Sequence, residues 1–224
     1  SEAEKELSDF AKKHNIPVTP TVMGIGCMTK DDPYYIGAIG CLGEGSSNSL
    51  SKDTDLALAI GTKLGDFTTG SWSNFQNEDF KLVSINTARF DVTKHLAIPV
   101  ISDAKIGLLE LSKDLGDWRA PNNWYERSID ERKKWDSYVE KQSGPTNQEL
   151  PSYAHAVGAV YRNADPSDIV VTAAGGLVGE VVQIWKPKEL NTFETEWGFS
   201  CMGYEISGAL GIKMAKPDQD VIVF

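Results

Sequence analysis

Four short apolar runs set the limits on how this chain can fold: residues 56–61 (LALAIG), 81–86 (KLVSIN), 98–102 (IPVIS) and 169–174 (IVVTAA). None shows the apolar–polar alternation of a half-solvated strand. Each therefore reads as a strand of a parallel sheet covered on both faces. Helical patterns lie between them. Residues 2–15 place Leu7, Phe10 and Ala11 on one face, and Asp103 stands as N-cap of a helix over 104–115. Further helices are expected over 152–163 and 180–185. Residues 16–19 and 34–40 read as two more short strands, the second running into Gly40, Gly43 and Gly45, with a helical turn at 46–50. Strands alternating with helices indicate an α/β protein with a parallel, Rossmann-like sheet.

That sheet raises the question of a dinucleotide site, and the glycines do not answer to it. Gly24-Ile25-Gly26 and Gly40-Cys41-Leu42-Gly43 fail to complete GxGxxG, and no GxxxxGK[ST] is present. A net charge of −10 argues against nucleic acid, which needs clustered Lys and Arg. No apolar run reaches the length of a membrane span, and 1–13 is charged and helical rather than a signal peptide. The 3 cysteines, Cys27, Cys41 and Cys201, read as reduced thiols of a cytoplasmic protein; His14, His95 and His155 are scattered and form no zinc pattern. The charged run 126–134 reads as a solvated helix face, and 143–147 (SGPTN) as a linker.

Two glycine-marked corners are the candidate sites. In the first, the strand 169–174 runs into Gly175-Gly176-Leu177 and a helix start, a geometry whose backbone N–H groups can cradle an anion. In the second, 192–197 reads as a strand and 202–214 as a helix carrying Met202, Ile206, Ala209, Leu210 and Met214 at near-helical spacing. Between them, Gly198-Phe199-Ser200-Cys201 directs free N–H groups of a helix start beyond the strand end. Glycines 203, 208 and 211 thin that helix where a backbone or ligand could approach.

The run 198–215 (GFSCMGYEISGALGIKMA) resembles the corresponding segment of thiamine-diphosphate enzymes, in the branch with acetohydroxyacid synthase, and its wording is most similar to the trihydroxycyclohexanedione hydrolases of inositol breakdown. The order GAIGCLGEG (37–45), DLALAIGTKLGD (55–66) and KLVSINTA (81–88) resembles the middle domain of the same family. The resemblance implies a middle domain over 1–118, a helical linker over 119–148, and the first part of a thiamine-diphosphate-binding α/β domain over 149–224. It implies that Gly175, Gly176 and Leu177 lie beside the cofactor's diphosphate. It also implies that Met202 props the bent cofactor, and that Cys201 and Gly203 neighbour the aminopyrimidine. Glu205 is a weaker candidate for contact with substrate or for support of the site.

The family's Mg²⁺ ligands are expected just beyond Phe224, so no metal ligand and no catalytic residue is expected within this chain, which reads as an internal fragment, inactive alone. FAD is not expected. The implied reaction is hydrolytic C–C cleavage of a cyclic 1,2-dione by a homodimer or homotetramer. An acetohydroxyacid-synthase-like enzyme or α-keto acid decarboxylase is the nearest alternative. A non-catalytic Rossmann-like binding or assembly domain is the alternative from another class, and an NAD-dependent dehydrogenase has no complete motif behind it.

Overall fold

The computed structural model describes residues 2–224. In chain order its elements are α1 (Glu4–His14), α2 (Gly45–Asp53), β1 (Leu56–Ile60), α3 (Asp66–Thr69), β2 (Lys81–Asn86), α4 (Arg89–Val92), β3 (Ile98–Ile101), α5 (Ala104–Leu115) and α6 (Asn122–Ser143). Then follow α7 (Tyr153–Asn163), β4 (Ile169–Thr172), α8 (Leu177–Ile184), β5 (Phe193–Thr195), α9 (Tyr204–Ala215) and β6 (Val221–Val223). The strands form two parallel sheets, β1-β2-β3 and β5-β4-β6. The α/β class and the parallel pairing expected from the apolar runs are what the molecule has.

Local signals placed the helices well. Asp103 caps α5 by accepting from the N–H groups of Lys105 and Ile106, and Ser152 opens α7 with a capping box closed by His155. The strand expectations at 16–19 and 34–40 do not survive: the two segments meet only at a parallel bridge between Val18 and Tyr35. Pro17 and Pro20 offer no N–H to a ladder, and Gly37 and Gly40 turn to φ +112° and +118°, which no strand continues through.

The two sheets differ in cover. All of β4 is buried, between a layer of α7 and α8 (Val157, Val178, Val181, Val182 around Val170) and α9 on the other side (Ala209 against Ile169 and Val171). In the first sheet the expectation of cover on both faces fails. Leu82 and Ile85 of β2 are buried, but Leu56 at the start of β1 is 52% exposed and every residue of β3 is open. A middle strand finds neighbours that its two edge strands lack.

The charged run 126–134 is not uniformly solvated either. Arg132 of α6 reaches inward and donates to the carbonyls of Lys30, Asp32 and Tyr35, which a guanidinium fork can do at once. Helix α6 also packs on α2 and α7 and so joins the core. His14, fully buried, holds the carbonyl of Trp118 and the hydroxyl of Ser112 with its two ring nitrogens, a structural role.

Candidate functional site

Strands β4 and β5 lie side by side with Thr172 opposite Thr195. Because they are parallel, the corners that follow them open at the same end of the sheet, where ligands bind in open α/β folds. Both terminal threonines are buried, and neither hydroxyl has a hydrogen-bond partner, which leaves a polar floor under the two corners.

The corners touch. Ala174 N–H donates to Glu205 Oε1 at 2.9 Å, Gly203 N–H donates to Glu205 Oε2 at 2.8 Å, and the Ser200 hydroxyl donates to the Ala173 carbonyl at 3.2 Å. The backbone N–H bonds to Glu205, that of Ala174 first, hold its carboxyl below the usual carboxylate range. Glu205 is the tie between the two corners.

The second corner corrects one expectation. Its N–H groups at Phe199 and Cys201 are not free; both donate to Glu196, at 2.9 and 2.8 Å. Those bonds, Cys201's first, lower the Glu196 carboxyl, and the Glu196 charge in turn raises the Cys201 thiol, the opposite of what a reactive thiolate requires. Met202 and Phe199 stand 88% and 91% exposed beside it. Helix α9 meets β4 through small residues: Ala209 is buried, while Ile206, Leu210 and Met214 point outward.

The first corner remains open. Gly175 turns at φ +88°, a conformation that favours glycine, and a Cβ on either Gly175 or Gly176 would meet no atom within 4 Å. Helix α8 starts at Leu177, with Gly176 as N-cap and no side chain bonding its first turn. An uncapped helix start behind an empty glycine turn is chemically suited to a phosphate group.

Two family models match: the thiamine pyrophosphate enzyme central domain over residues 1–111, and the C-terminal TPP-binding domain over 173–224, which contains both corners. The chain belongs to the thiamine pyrophosphate enzymes. Among curated proteins, the 3D-(3,5/4)-trihydroxycyclohexane-1,2-dione hydrolase of Bacillus anthracis is 33% identical over 99% of this chain and 38% of its own length. The enzyme of the same name from Geobacillus thermodenitrificans is 34% identical with the same coverage. The chain thus spans about 38% of the length of these relatives.

Within this family member the predicted residues Gly175, Gly176, Leu177, Cys201, Met202, Gly203 and Glu205 converge on one end of one sheet. Among the described residues no group of three or more His, Cys, Asp or Glu side chains is arranged to hold a metal ion. Two residues escaped the sequence reading. Glu196 could have been found as a carboxylate just before a glycine corner, a position that commonly caps N–H groups. Glu44, buried at the start of α2, carried no signal beyond its place in a glycine cluster.

Proposed function

We propose that the protein carrying this chain is a thiamine-diphosphate- and Mg²⁺-dependent hydrolase that opens the ring of a cyclic 1,2-dione, as in inositol breakdown. Residues 1–118 are its central domain, 119–148 a helical connection, and 149–224 the first part of its cofactor-binding domain. The observation that carries this reading is the pairing of the open Gly175–Gly176 turn with the Cys201–Gly203 corner, tied through Glu205, in a chain similar along nearly its whole length to enzymes of that name. When bound, thiamine diphosphate supplies a carbon nucleophile and an electron sink for breaking a bond beside a carbonyl.

This chain's own part is binding and orientation. The N–H groups at Gly176 and Leu177 face a diphosphate, Met202 offers an apolar, adaptable surface to a heterocycle, and Glu205 keeps the corners in register. Glu205 is thereby assigned to shaping the site rather than to substrate. The buried Thr172 and Thr195 hydroxyls give the floor a polar character that suits a cofactor edge. No helix among the described residues is long and apolar enough to cross a membrane; a cytoplasmic, homodimeric or homotetrameric enzyme completes the proposal.

The test is calorimetric titration of thiamine diphosphate with Mg²⁺ into the intact protein, followed by hydrolysis of the cyclic dione. Saturable binding that depends on Mg²⁺, with ring opening, is the expected result. Turnover of pyruvate instead would reassign the protein to the condensing or decarboxylating members. Binding of NAD⁺, or of no cofactor, would overturn the reading.

A further inference from the structure

Helix α8 runs from the open glycine turn to Lys186, two residues past its end, and Lys186 sits in a buried charge cluster that the cofactor reading does not use. Glu44 is 1% exposed at the start of α2. Its Oε1 accepts from Ala38 N–H at 3.2 Å, while its Oε2 lies 3.3 Å from Lys186 Nζ and accepts no hydrogen bond. Lys186 also pairs closely with Asp136 of α6, which lies 3.6 Å from Arg132.

The pocket for this carboxylate is built. A Cβ on Gly37 would fall 2.5 Å from the Glu44 carboxyl carbon, so only glycine leaves room for it. The groups facing Glu44 come from every neighbouring element: Lys186 after α8, Asp136 and Arg132 on α6, Tyr35 on the segment before α2, and Tyr161 on α7. Burial, only partly offset by Lys186, pushes the Glu44 carboxyl up to about 7. Burial also raises both phenols, Tyr161 to about 12, so neither changes charge in the same range. Two further bonds join this end of α8 to its neighbours: the Lys186 carbonyl accepts from Tyr161, and Pro187's carbonyl accepts from Lys30 N–H at 2.8 Å.

We propose that Glu44 is a positioning residue for the Gly175–Gly176 turn: charged, it seats Lys186 and the far end of α8 on residues 37–44, and protonated, it leaves Lys186 to Asp136, so that the turn loosens its fit to an anionic ligand. A helix of eight residues is short and stiff, and a change of seating at one end moves the other. The inference rests on the cofactor reading above for the identity of the anion, but not for the motion.

The experiment compares the intact wild-type protein with Glu44→Gln, which holds the neutral form at every pH. At pH 8 the variant binds thiamine diphosphate with Mg²⁺ about fivefold or more weakly, and at pH 6 the two bind alike. Comparing proteins at one pH cancels the ligand's own ionisation. In parallel, without ligand, amides 175–184 exchange hydrogen faster in Glu44→Gln at pH 8 and equally at pH 6. Asp136→Asn, at a half-exposed site, removes a neighbouring negative charge and moves the wild-type midpoint to lower pH.

Equal binding at both pH values, or the same deficit at both, overturns the inference and leaves Glu44 a structural group. Should no protein bind the cofactor, the proposed function fails and the exchange arm decides alone: indistinguishable exchange at pH 8 overturns the positioning role. Should Glu44→Gln not fold, an unmoved midpoint in Asp136→Asn overturns it.

Discussion

The two ends of α8 are treated in opposite ways. Its C-terminal end is crowded with Lys186, Glu44, Asp136 and Tyr161, each holding another. Its N-terminal end is a pair of glycines with open space beside them and no cap. A helix needs both ends satisfied for stability alone. A fold that ties one end to three other elements and leaves the other bare spends its interactions on fixing where the bare end points.

Lys186→Met should produce the largest effect. It strands the Glu44 carboxylate in the interior, and urea unfolding at pH 8 should show a loss of about 4 kcal/mol. Glu44 has a folded-state value near 7, above its usual 4.5, so its favourable contribution to folding is complete below 4.5 and declines as pH rises through about 7. At pH 5, with Glu44 neutral, the Lys186→Met loss should therefore shrink. An equal loss at both pH values would show that Lys186 matters only for its stem.

Gly37→Ala comes next. A Cβ at φ +112° and 2.5 Å from the Glu44 carboxyl carbon should cost about 3 kcal/mol in the same measurement. Gly176→Ala probes the opposite end. Gly176 sits at φ −68° and ψ −30°, which alanine adopts freely, so stability should rise by about 0.5 kcal/mol. The methyl group enters the open space, however, and thiamine diphosphate affinity should fall about tenfold by calorimetry, a loss of about 1.4 kcal/mol. A fall in stability with unchanged affinity would make this turn a packing feature. The smallest change in folding belongs to Met202→Ala. At 88% exposure it should leave stability within about 0.5 kcal/mol while weakening cofactor binding; equal falls in both would return Met202 to ordinary packing.

Sheet cover shows how far sequence reading reaches. Residues 169–174 and 98–102 look alike as apolar runs, yet β4 is sealed and β3 is open, because cover depends on which helices cross each strand. The two corners were legible for a related reason. Glycine turns and strand ends are local, so the corners at Gly175, Gly176 and Gly203 could be marked from their own neighbours, whereas Met202 was singled out through the resemblance. The use of Glu205 and Glu196 as acceptors for the corner N–H groups could not be read locally, since it depends on how each carboxylate is aimed.

By itself the sequence determined the α/β class, the four apolar strand runs, the cap at Asp103 and the two glycine corners, all set by interactions between residues close along the chain. Only the tertiary structure decided that the corners share one carboxylate, that Arg132 turns inward, and that buried Glu44 and Lys186 form one cluster with half-exposed Asp136. Those three residues are far apart in sequence. Charges interact through space, and no local pattern records which of them burial will bring together.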